Sequence, residues 1–258
     1  MKSTQPRAVF LDIDGTLLGN TSKISEYNAA MIKKARDAGH YVFINTGRAL
    51  GNIPAEFFDF ISLTDGLIAG SGTYLELNGK TFFDGHFEKD ILAELCGYLL
   101  EHRELWGVFE CKKGIIGINS VPSAWGVKKY VHNADDFYTV YADEAVEVTA
   151  VGKCPPADFE QKFGNKMRII RMTNFADCIL NGCSKANGMK AVLRELDIPV
   201  ERSIAIGDSE NDLDMLSSAG ISVAVANAAE AVLKAADMIT ASNVENGVGK
   251  AIEKLILL

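Results

Sequence analysis

The sequence has no apolar run long enough to span a lipid bilayer. Its first seven residues are polar and lack the apolar segment of a secretory signal peptide. These absences argue against a membrane-spanning or exported protein, and we expect a cytoplasmic one.

Positive charge is also scarce. The 258 residues include 26 Lys and Arg against 34 Asp and Glu, for a formal net charge of -8. Nucleic acids and anionic membrane surfaces are bound through many Lys and Arg side chains. We therefore expect neither as a partner, and an anionic substrate would need a local cation.

The few cysteines do not form a recognisable framework. Their count is odd and no Cys-x-x-Cys spacing occurs, which argues against a disulfide scaffold and against a zinc site. We expect small buried apolar side chains instead, at Cys96, Cys111, Cys154, Cys178 and Cys183. The sequence also lacks the Gly-x-Gly-x-x-Gly, P-loop and Ser-His-Asp patterns, so hydride transfer and nucleotide triphosphate binding have no support.

What the sequence does contain is an alternation of short apolar runs and helical periodicity. The pattern predicts a helix over residues 24–38 that stops at Gly39. Apolar runs that end in polar loops predict buried parallel strands at residues 8–11, 41–44, 66–69 and 203–206. This alternation indicates an α/β fold, a Rossmann-like doubly wound parallel sheet.

The middle of the chain breaks this rhythm. Alternating apolar and polar residues at 108–118 and 167–172 predict strands of a separate α+β module. We therefore expect a core domain of residues 1–80 and 184–258, with residues 81–183 as an inserted α+β cap domain that selects the substrate.

Acidic residues follow the predicted strands of the core. Asp12 and Asp14 come after the first strand and Asp208 after a late one, and parallel strands bring such ends to one edge of a sheet. Two like charges 4 Å apart repel by about 4 kcal/mol at an effective dielectric constant near 20. A divalent cation with oxygen ligands, such as Mg²⁺, would offset this repulsion better than one lysine.

Four motifs in this order resemble those of the haloacid dehalogenase superfamily, in particular its Cof-type subgroup with a large α+β cap (class IIB, C2 cap). They are Asp12–Leu17, Thr46–Arg48, Ser184–Lys185 and Gly207–Asp212. The resemblance covers nearly the whole chain. It implies a Mg²⁺-dependent phosphatase that acts on small phosphomonoesters through a phosphorylated aspartate.

The resemblance also implies a role for each motif residue. Asp12 would be the nucleophile, and Asp14 the acid for the leaving group and then the base for water. The metal ligands would be Asp12, Asp208 and the backbone carbonyl of Asp14, and Asp212 would orient metal-bound water or Lys185. The phosphoryl oxygens would be held by Thr46, Lys185, Asn211 and the backbone N–H groups of Ile13 and Gly47.

Alternatives remain open at this point. A sugar phosphate, specifically a hexose phosphate, is the expected substrate, but a phosphomutase would use the same residues. A phospho-aspartate regulatory module would gather similar side chains, although in a shorter chain without a cap.

The roles of some single residues are also open. Arg48 contacts substrate or braces a loop. In the inserted module, residues considered as substrate contacts are Trp106, Trp125, His86 and His132.

Overall fold

The computed structural model describes residues 5–19, 23–141, 146–153, 155–172 and 174–258. The chain divides into two compact units. Unit 1 takes its residues from Met1–Gly47, Pro54–Phe83 and Ser184–Leu258, and unit 2 from Arg48–Ile53 and Asp84–Cys183. The domain boundaries that the sequence indicates, at residues 80 and 184, stay predictions.

Unit 1 is built on a sheet of eight strands in the order β14-β13-β12-β1-β2-β3-β4-β5. The pairs from β14 to β3 are all parallel, in agreement with the predicted α/β fold. The strands are β1 (Ala8–Leu11), β2 (Tyr41–Asn45), β3 (Gly66–Ala69), β4 (Tyr74–Leu77), β5 (Lys80–Asp84), β12 (Ser203–Gly207), β13 (Ile221–Ala224) and β14 (Met238–Ile239).

One edge of this sheet departs from the parallel pattern. Strand β4 runs antiparallel to β3, and β5 is its outer neighbour. Asn78 and Gly79 join β4 to β5 with φ angles of 50° and 74°. Positive φ at both central residues is typical of a tight hairpin turn, which Asn-Gly favours. The turn is therefore a local property of the Asn-Gly sequence, whereas the place of β4 and β5 at the edge of the parallel sheet is set by tertiary structure.

The central strands of unit 1 are buried because they are covered on both faces. All four residues of β1 are 0% exposed, and the rings of Phe10 and Phe43 stack with centroids 5.3 Å apart. Such strands need continuous apolar sequence rather than alternation. The helices of this unit are α1 (Glu26–Asp37), α2 (Phe58–Ile61), α6 (Lys185–Glu195), α7 (Leu213–Ser218), α8 (Glu230–Ala235) and α9 (Gly247–Ile252).

Unit 2 contains a second sheet, of six strands in the order β10-β11-β9-β6-β7-β8. Its pairs are antiparallel except for β7 with β8. The strands are β6 (Gly107–Cys111), β7 (Gly114–Ile118), β8 (Lys129–Val131), β9 (Val146–Gly152), β10 (Met167–Arg171) and β11 (Phe175–Leu180).

One face of the unit 2 sheet carries its helices α3 (Lys89–Glu101), α4 (Ala134–Tyr141) and α5 (Ala157–Phe163). Their apolar side chains form a core with those of the strands, among them Leu95, Phe109, Phe137, Phe159 and Phe163. The unit is thus an α+β layer with its own hydrophobic core.

Within the part of the chain that the structure describes, no helix combines the length and apolar composition needed to cross a membrane. The cysteines Cys96, Cys111, Cys178 and Cys183 are buried and have free thiols, as the sequence predicts. Burial raises the pKa of Cys178 to about 12, which leaves its thiol protonated and unreactive. Cys154 lies outside the described residues.

Candidate active site

The carboxyl ends of three neighbouring strands bring the sequence motifs of unit 1 together. Strand β1 lies between β12 and β2, and its last residue, Leu11, pairs with Ile206 on one side and Ile44 on the other. Asp12 therefore leaves the sheet between Asp208 and Thr46. The parallel register of the three strands thus decides the meeting of motifs that are distant in sequence.

A buried lysine lies between two carboxylates at this edge. The Nζ atom of Lys185 donates to Oδ1 of Asp12 and to Oδ1 of Asp212, each at 2.6 Å. The three residues are at most 4% exposed. Burial alone would lower the pKa of Lys185, but the two carboxylates outweigh it and raise that pKa. The lysine is therefore a fixed positive charge.

Lys185 reaches the sheet from the first position of α6. The N-cap of this helix is Ser184, whose hydroxyl accepts from the backbone N–H of Asn187 at 3.0 Å. Gly188 lets the helix approach closely, because a Cβ there would lie 2.7 Å from a methyl carbon of Ile68. The Ser184 cap and Gly188 together fix the position of the Lys185 backbone.

Asp212 acts as a brace for the loop after β12. Its Oδ2 accepts from the backbone N–H groups of Asp208 and Ser209, at 3.0 and 3.1 Å, while Oδ1 accepts from Lys185. A Cβ on Gly207 would lie 2.6 Å from the Asp212 carboxyl carbon, so the loop requires glycine there. Since both oxygens of Asp212 are engaged, this residue is suited to orient its neighbours.

Asp208 is held by the loop after β1. Its Oδ1 accepts from the Thr16 hydroxyl at 2.7 Å. Gly15 has φ +82°, and a Cβ on it would lie 2.3 Å from Oδ2 of Asp208. Burial raises the pKa of Asp208 to about 6, the Thr16 hydrogen bond opposes this, and the nearby Asp212 adds to it. The role of Thr16 in fixing Asp208 is not apparent from sequence spacing.

These carboxylates form a group that suits a cation. One oxygen from each of Asp12, Asp208 and Asp212 lies within 4.8 Å of the others. Burial raises the pKa of Asp12 to about 8, and although Lys185 opposes this, Asp212 and Asp208 add to it. At this separation each pair of charges repels by roughly 3–4 kcal/mol at an effective dielectric constant near 20.

The donor set fits a hard divalent ion. Three carboxylates face one ammonium group, so the group is short of positive charge. All candidate ligands are oxygen atoms, which Mg²⁺ prefers. Asp12 and Asp208 each use only Oδ1 in the hydrogen bonds described, whereas Asp212 uses both oxygens. Asp12 and Asp208 are therefore better placed than Asp212 to coordinate a metal.

The remaining motif residues of unit 1 surround this group. Asn211 Oδ1 lies 3.5 Å from Lys185 Nζ and accepts from the Ser209 hydroxyl at 2.6 Å. Thr46 is buried, and a Cβ on Gly47 would lie 3.4 Å from Nδ2 of Asn211 and 3.5 Å from Oγ of Ser71. The second, third and fourth motifs are thus brought together beside the first.

Asp14 and Ile13 occupy the turn that follows β1. The Asp14 side chain is exposed, and its backbone forms an isolated bridge with Leu18. Ile13 is buried, and its carbonyl accepts from the backbone N–H groups of Leu17 and Leu18 at 3.1 and 3.0 Å. The turn keeps the Asp14 carboxyl on the surface while its neighbour anchors the loop.

The other candidate substrate-contact residues of the sequence lie in unit 2. Arg48 donates to the Asn52 carbonyl at 3.0 Å, a contact that braces its loop. Trp106 is 7% exposed and packs against Trp125, with ring centroids 5.6 Å apart. The two histidines, His86 and His132, are exposed. These positions do not assign a substrate contact to any of them.

Ser71 and Asn45 are further polar residues close to the motifs. Ser71 is 6% exposed, has φ +52° and donates its backbone N–H to the Thr46 carbonyl at 3.0 Å. Its place between two glycines is the sequence signal for such a turn, which is common after strands. Asn45 is buried and has no comparable signal, since it only ends an apolar strand.

Comparison with known proteins agrees with this geometry. The family model of haloacid dehalogenase-like hydrolases matches residues 9–252. The chain is 29% identical to 5-amino-6-(5-phospho-D-ribitylamino)uracil phosphatase YcsE of Bacillus subtilis, over 97% of the chain and 96% of that protein. It is 30% identical over 95% of its length to the chloroplastic endoribonuclease YBEY of Arabidopsis thaliana, but the match spans only 45% of that protein.

Solved structures share the fold over nearly their full length. A sugar phosphatase of haloacid dehalogenase subclass IIB superposes with a TM-score of 0.80 at 25% identity, covering 98% of this chain and 100% of the other. A phosphatase of the same superfamily from Bacteroides thetaiotaomicron gives a TM-score of 0.82 at 26% identity, with 98% and 96% covered. The chain therefore belongs to the haloacid dehalogenase-like hydrolases, and it is a phosphatase of their subclass IIB.

Proposed function

We propose that the chain hydrolyses small phosphomonoesters with Mg²⁺, through a phosphoryl group carried transiently by Asp12. The observation that supports this most directly is the buried arrangement of Asp12, Lys185 and Asp212 beside Asp208. A phosphoryl transfer site needs a nucleophile, positive charge around the transferred group and an acid for the leaving oxygen. The residues below would supply these.

Asp12 is the nucleophile in this proposal. Lys185 holds Oδ1 at 2.6 Å, so the carboxylate has a defined orientation and Oδ2 would attack phosphorus in line with the leaving oxygen. The oxygen of the phosphomonoester leaves with a proton from the Asp14 carboxyl. In the second step Asp14 takes a proton from water, which attacks the phosphoryl group and restores Asp12.

The negative charge of the transferring phosphoryl group would be met by Lys185 and by hydrogen-bond donors. Two protons of the Lys185 ammonium group are donated in hydrogen bonds to Asp12 and Asp212. The contact of this ammonium group with Asn211 is long, at 3.5 Å. The third proton is thus the one we assign to a phosphoryl oxygen. The Thr46 hydroxyl, the Asn211 amide and the backbone N–H groups of Ile13 and Gly47 would serve the others.

Mg²⁺ would be held by Asp12, Asp208 and the backbone carbonyl of Asp14, with Asp212 acting on Lys185 and on the loop rather than on the metal. When bound, the ion supplies the positive charge that one lysine does not provide among three carboxylates. The Thr16 hydrogen bond keeps Asp208 pointing in a fixed direction.

For the substrate we propose a sugar phosphate, such as a hexose phosphate. Support comes from the sugar phosphatase with the same fold and from the B. subtilis relative, whose named substrate carries a phosphorylated ribityl chain. We further propose that residues 81–183 form the cap that selects the organic part of the substrate. A cytoplasmic location stays a prediction.

The test is a panel of phosphomonoesters assayed for inorganic phosphate release with and without Mg²⁺. It should include hexose phosphates, ribityl phosphates and phosphoglycolate. We expect multiple turnovers with at least one sugar phosphate and loss of activity with a chelator. Release of an isomeric sugar phosphate without free phosphate would indicate a mutase instead.

The nucleophile is tested by Asp12→Asn. The amide keeps the shape of the carboxylate but does not attack phosphorus, so turnover should be abolished while the fold is retained. Circular dichroism and a thermal melt provide the control for folding. Steady-state activity in a freshly purified variant, checked by mass spectrometry for the absence of deamidation, would contradict the mechanism.

A further inference from the structure

Asn45 lies at the meeting point of three elements that carry the site. It is the last residue of β2, and Thr46 follows it directly. Its side-chain Nδ2 donates to the backbone carbonyl of Lys185, in α6, at 2.9 Å. The same nitrogen lies 3.1 Å from Sδ of Met215, in α7. One amide thus contacts the helices that follow the third and fourth motifs.

The burial of this amide is costly for the fold. Asn45 is 0% exposed, and its Oδ1 has no hydrogen-bond partner among the described residues. A buried polar atom without a partner destabilises the folded state, because it has given up its hydrogen bonds to water without replacing them. The neighbouring strand residues Val42, Phe43 and Ile44 are apolar, and an apolar side chain would fill position 45 without this cost. The polar side chain therefore needs a reason beyond packing.

The contact with Lys185 supplies such a reason. The ammonium end of Lys185 is fixed by Asp12 and Asp212, as described above. Its backbone belongs to the first residue of α6, where the Ser184 hydroxyl accepts from the backbone N–H of Asn187. Asn45 holds the carbonyl of Lys185 from the side of the sheet. Both the backbone and the ammonium group of Lys185 are therefore held in place.

We infer that Asn45 is a positioning residue for Lys185: it fixes the start of α6 against β2 so that the buried ammonium group stands beside the Asp12 carboxylate. The inference rests on the proposed function for its effect on turnover. Thr46 does not depend on the amide, because its backbone N–H donates to Ile68 and its carbonyl accepts from Ser71. Loss of the Asn45 side chain thus acts not through the Thr46 backbone but through the two contacts of the amide, of which the hydrogen bond to the Lys185 carbonyl is the shorter.

The variant Asn45→Leu tests this, since leucine has nearly the same shape but no donor. We expect kcat to fall by about tenfold or more, while KM changes by no more than about threefold. The reason is that displacement of the ammonium group reduces stabilisation of the transition state more than it reduces substrate binding. Thr64→Val is the matched control in the same unit. Thr64 is buried and its hydroxyl donates to the Ile61 carbonyl at 2.7 Å, away from Lys185.

Both variants lose a buried hydrogen bond, so the melting temperature of each is measured first and both are assayed well below it. If the role of Asn45 were purely structural, Asn45→Leu and Thr64→Val would have equal kcat values. Equal values would overturn the inference. If Asn45→Leu does not fold, Asn45→Ser, whose hydroxyl is too short to replace the amide, takes its place with the same expectation.

Hydrogen–deuterium exchange gives a second readout that does not require activity. Loss of the contact should speed exchange in peptides that cover residues 185–190, relative to wild type and to Thr64→Val. Unchanged exchange there would overturn the inference by itself. If the wild type released no phosphate from any ester, the proposed function would fail, while the exchange experiment would still decide the role of Asn45.

Discussion

Replacement of Lys185 by methionine is the most informative perturbation of the site. The Lys185 side chain is 1% exposed, and the side chains of its partners Asp12 and Asp212 are 6% and 0% exposed. Methionine matches the length of the lysine stem but has no charge. Lys185→Met therefore removes the only close cation, among the described residues, from the carboxylates of Asp12, Asp208 and Asp212. These carboxylates would then face one another with no positive charge between them.

The size of the effect follows from this burial. Removal of one partner from a buried ion pair typically costs about 3–5 kcal/mol of unfolding free energy. For a unit of about 150 residues each kcal/mol lowers the melting temperature by about 2–4 °C. We therefore expect a decrease of about 6–20 °C in Mg²⁺-free buffer at pH 8. Turnover should fall by at least a hundredfold, as for loss of one charged transition-state donor.

The assay is a thermal melt with and without Mg²⁺ at pH 8 and pH 6. Burial raises the pKa of Asp12 to about 8 even with Lys185 present, so the folded state takes up protons more readily than the unfolded state. Stability should consequently recover as the pH is lowered to 6, where carboxylates without a cation become neutral. Added Mg²⁺ should also recover part of it at pH 8.

The matched control is Lys190→Met, an exposed lysine on the same helix. It should melt within about 2 °C of wild type, since exposed charges contribute little. If Lys185→Met melted like this control in Mg²⁺-free buffer, the ion pairs would not stabilise the fold. The account of the site as carboxylates held together by a buried cation would then be wrong.

Two further predictions concern Asp208 and Glu110. Asp208→Asn keeps an acceptor for Thr16 but removes a charged ligand, so half-maximal activity should need about 10–100 times more Mg²⁺, and an unchanged metal titration would argue against Asp208 as a ligand. Burial and the charge of Asp177 raise the pKa of Glu110 to about 7, although hydrogen bonds from Asn52 and Ala49 oppose this. A raised carboxyl pKa means that stability is lost as the pH rises from the ordinary carboxyl pKa to about 7, so Glu110→Gln should flatten the decrease in melting temperature between pH 5 and pH 7. Fluorescence of the two tryptophans, both in unit 2, follows this melt, and an equal slope in variant and wild type would contradict it.

The sequence alone determined the elements and the motifs of unit 1. Continuous apolar runs predict β1 and β2 because a strand covered on both faces excludes polar side chains. The hairpin at Asn78 and Gly79 is likewise a local property, since Asn-Gly favours positive φ. These features depend on neighbours in sequence, which is why they can be predicted without coordinates.

Tertiary structure decided the contacts that make the motifs into a site. The hydrogen bonds from Thr16 to Asp208 and from Asn45 to the Lys185 carbonyl join residues 192 and 140 positions apart. Their partners are set by strand register and helix packing, which no local pattern encodes. The sequence by itself thus determined which residues are chemically able to transfer a phosphoryl group. Only the packing of α6 and α7 against the sheet decided how they are held, because a buried hydrogen bond forms only where the whole fold brings donor and acceptor together.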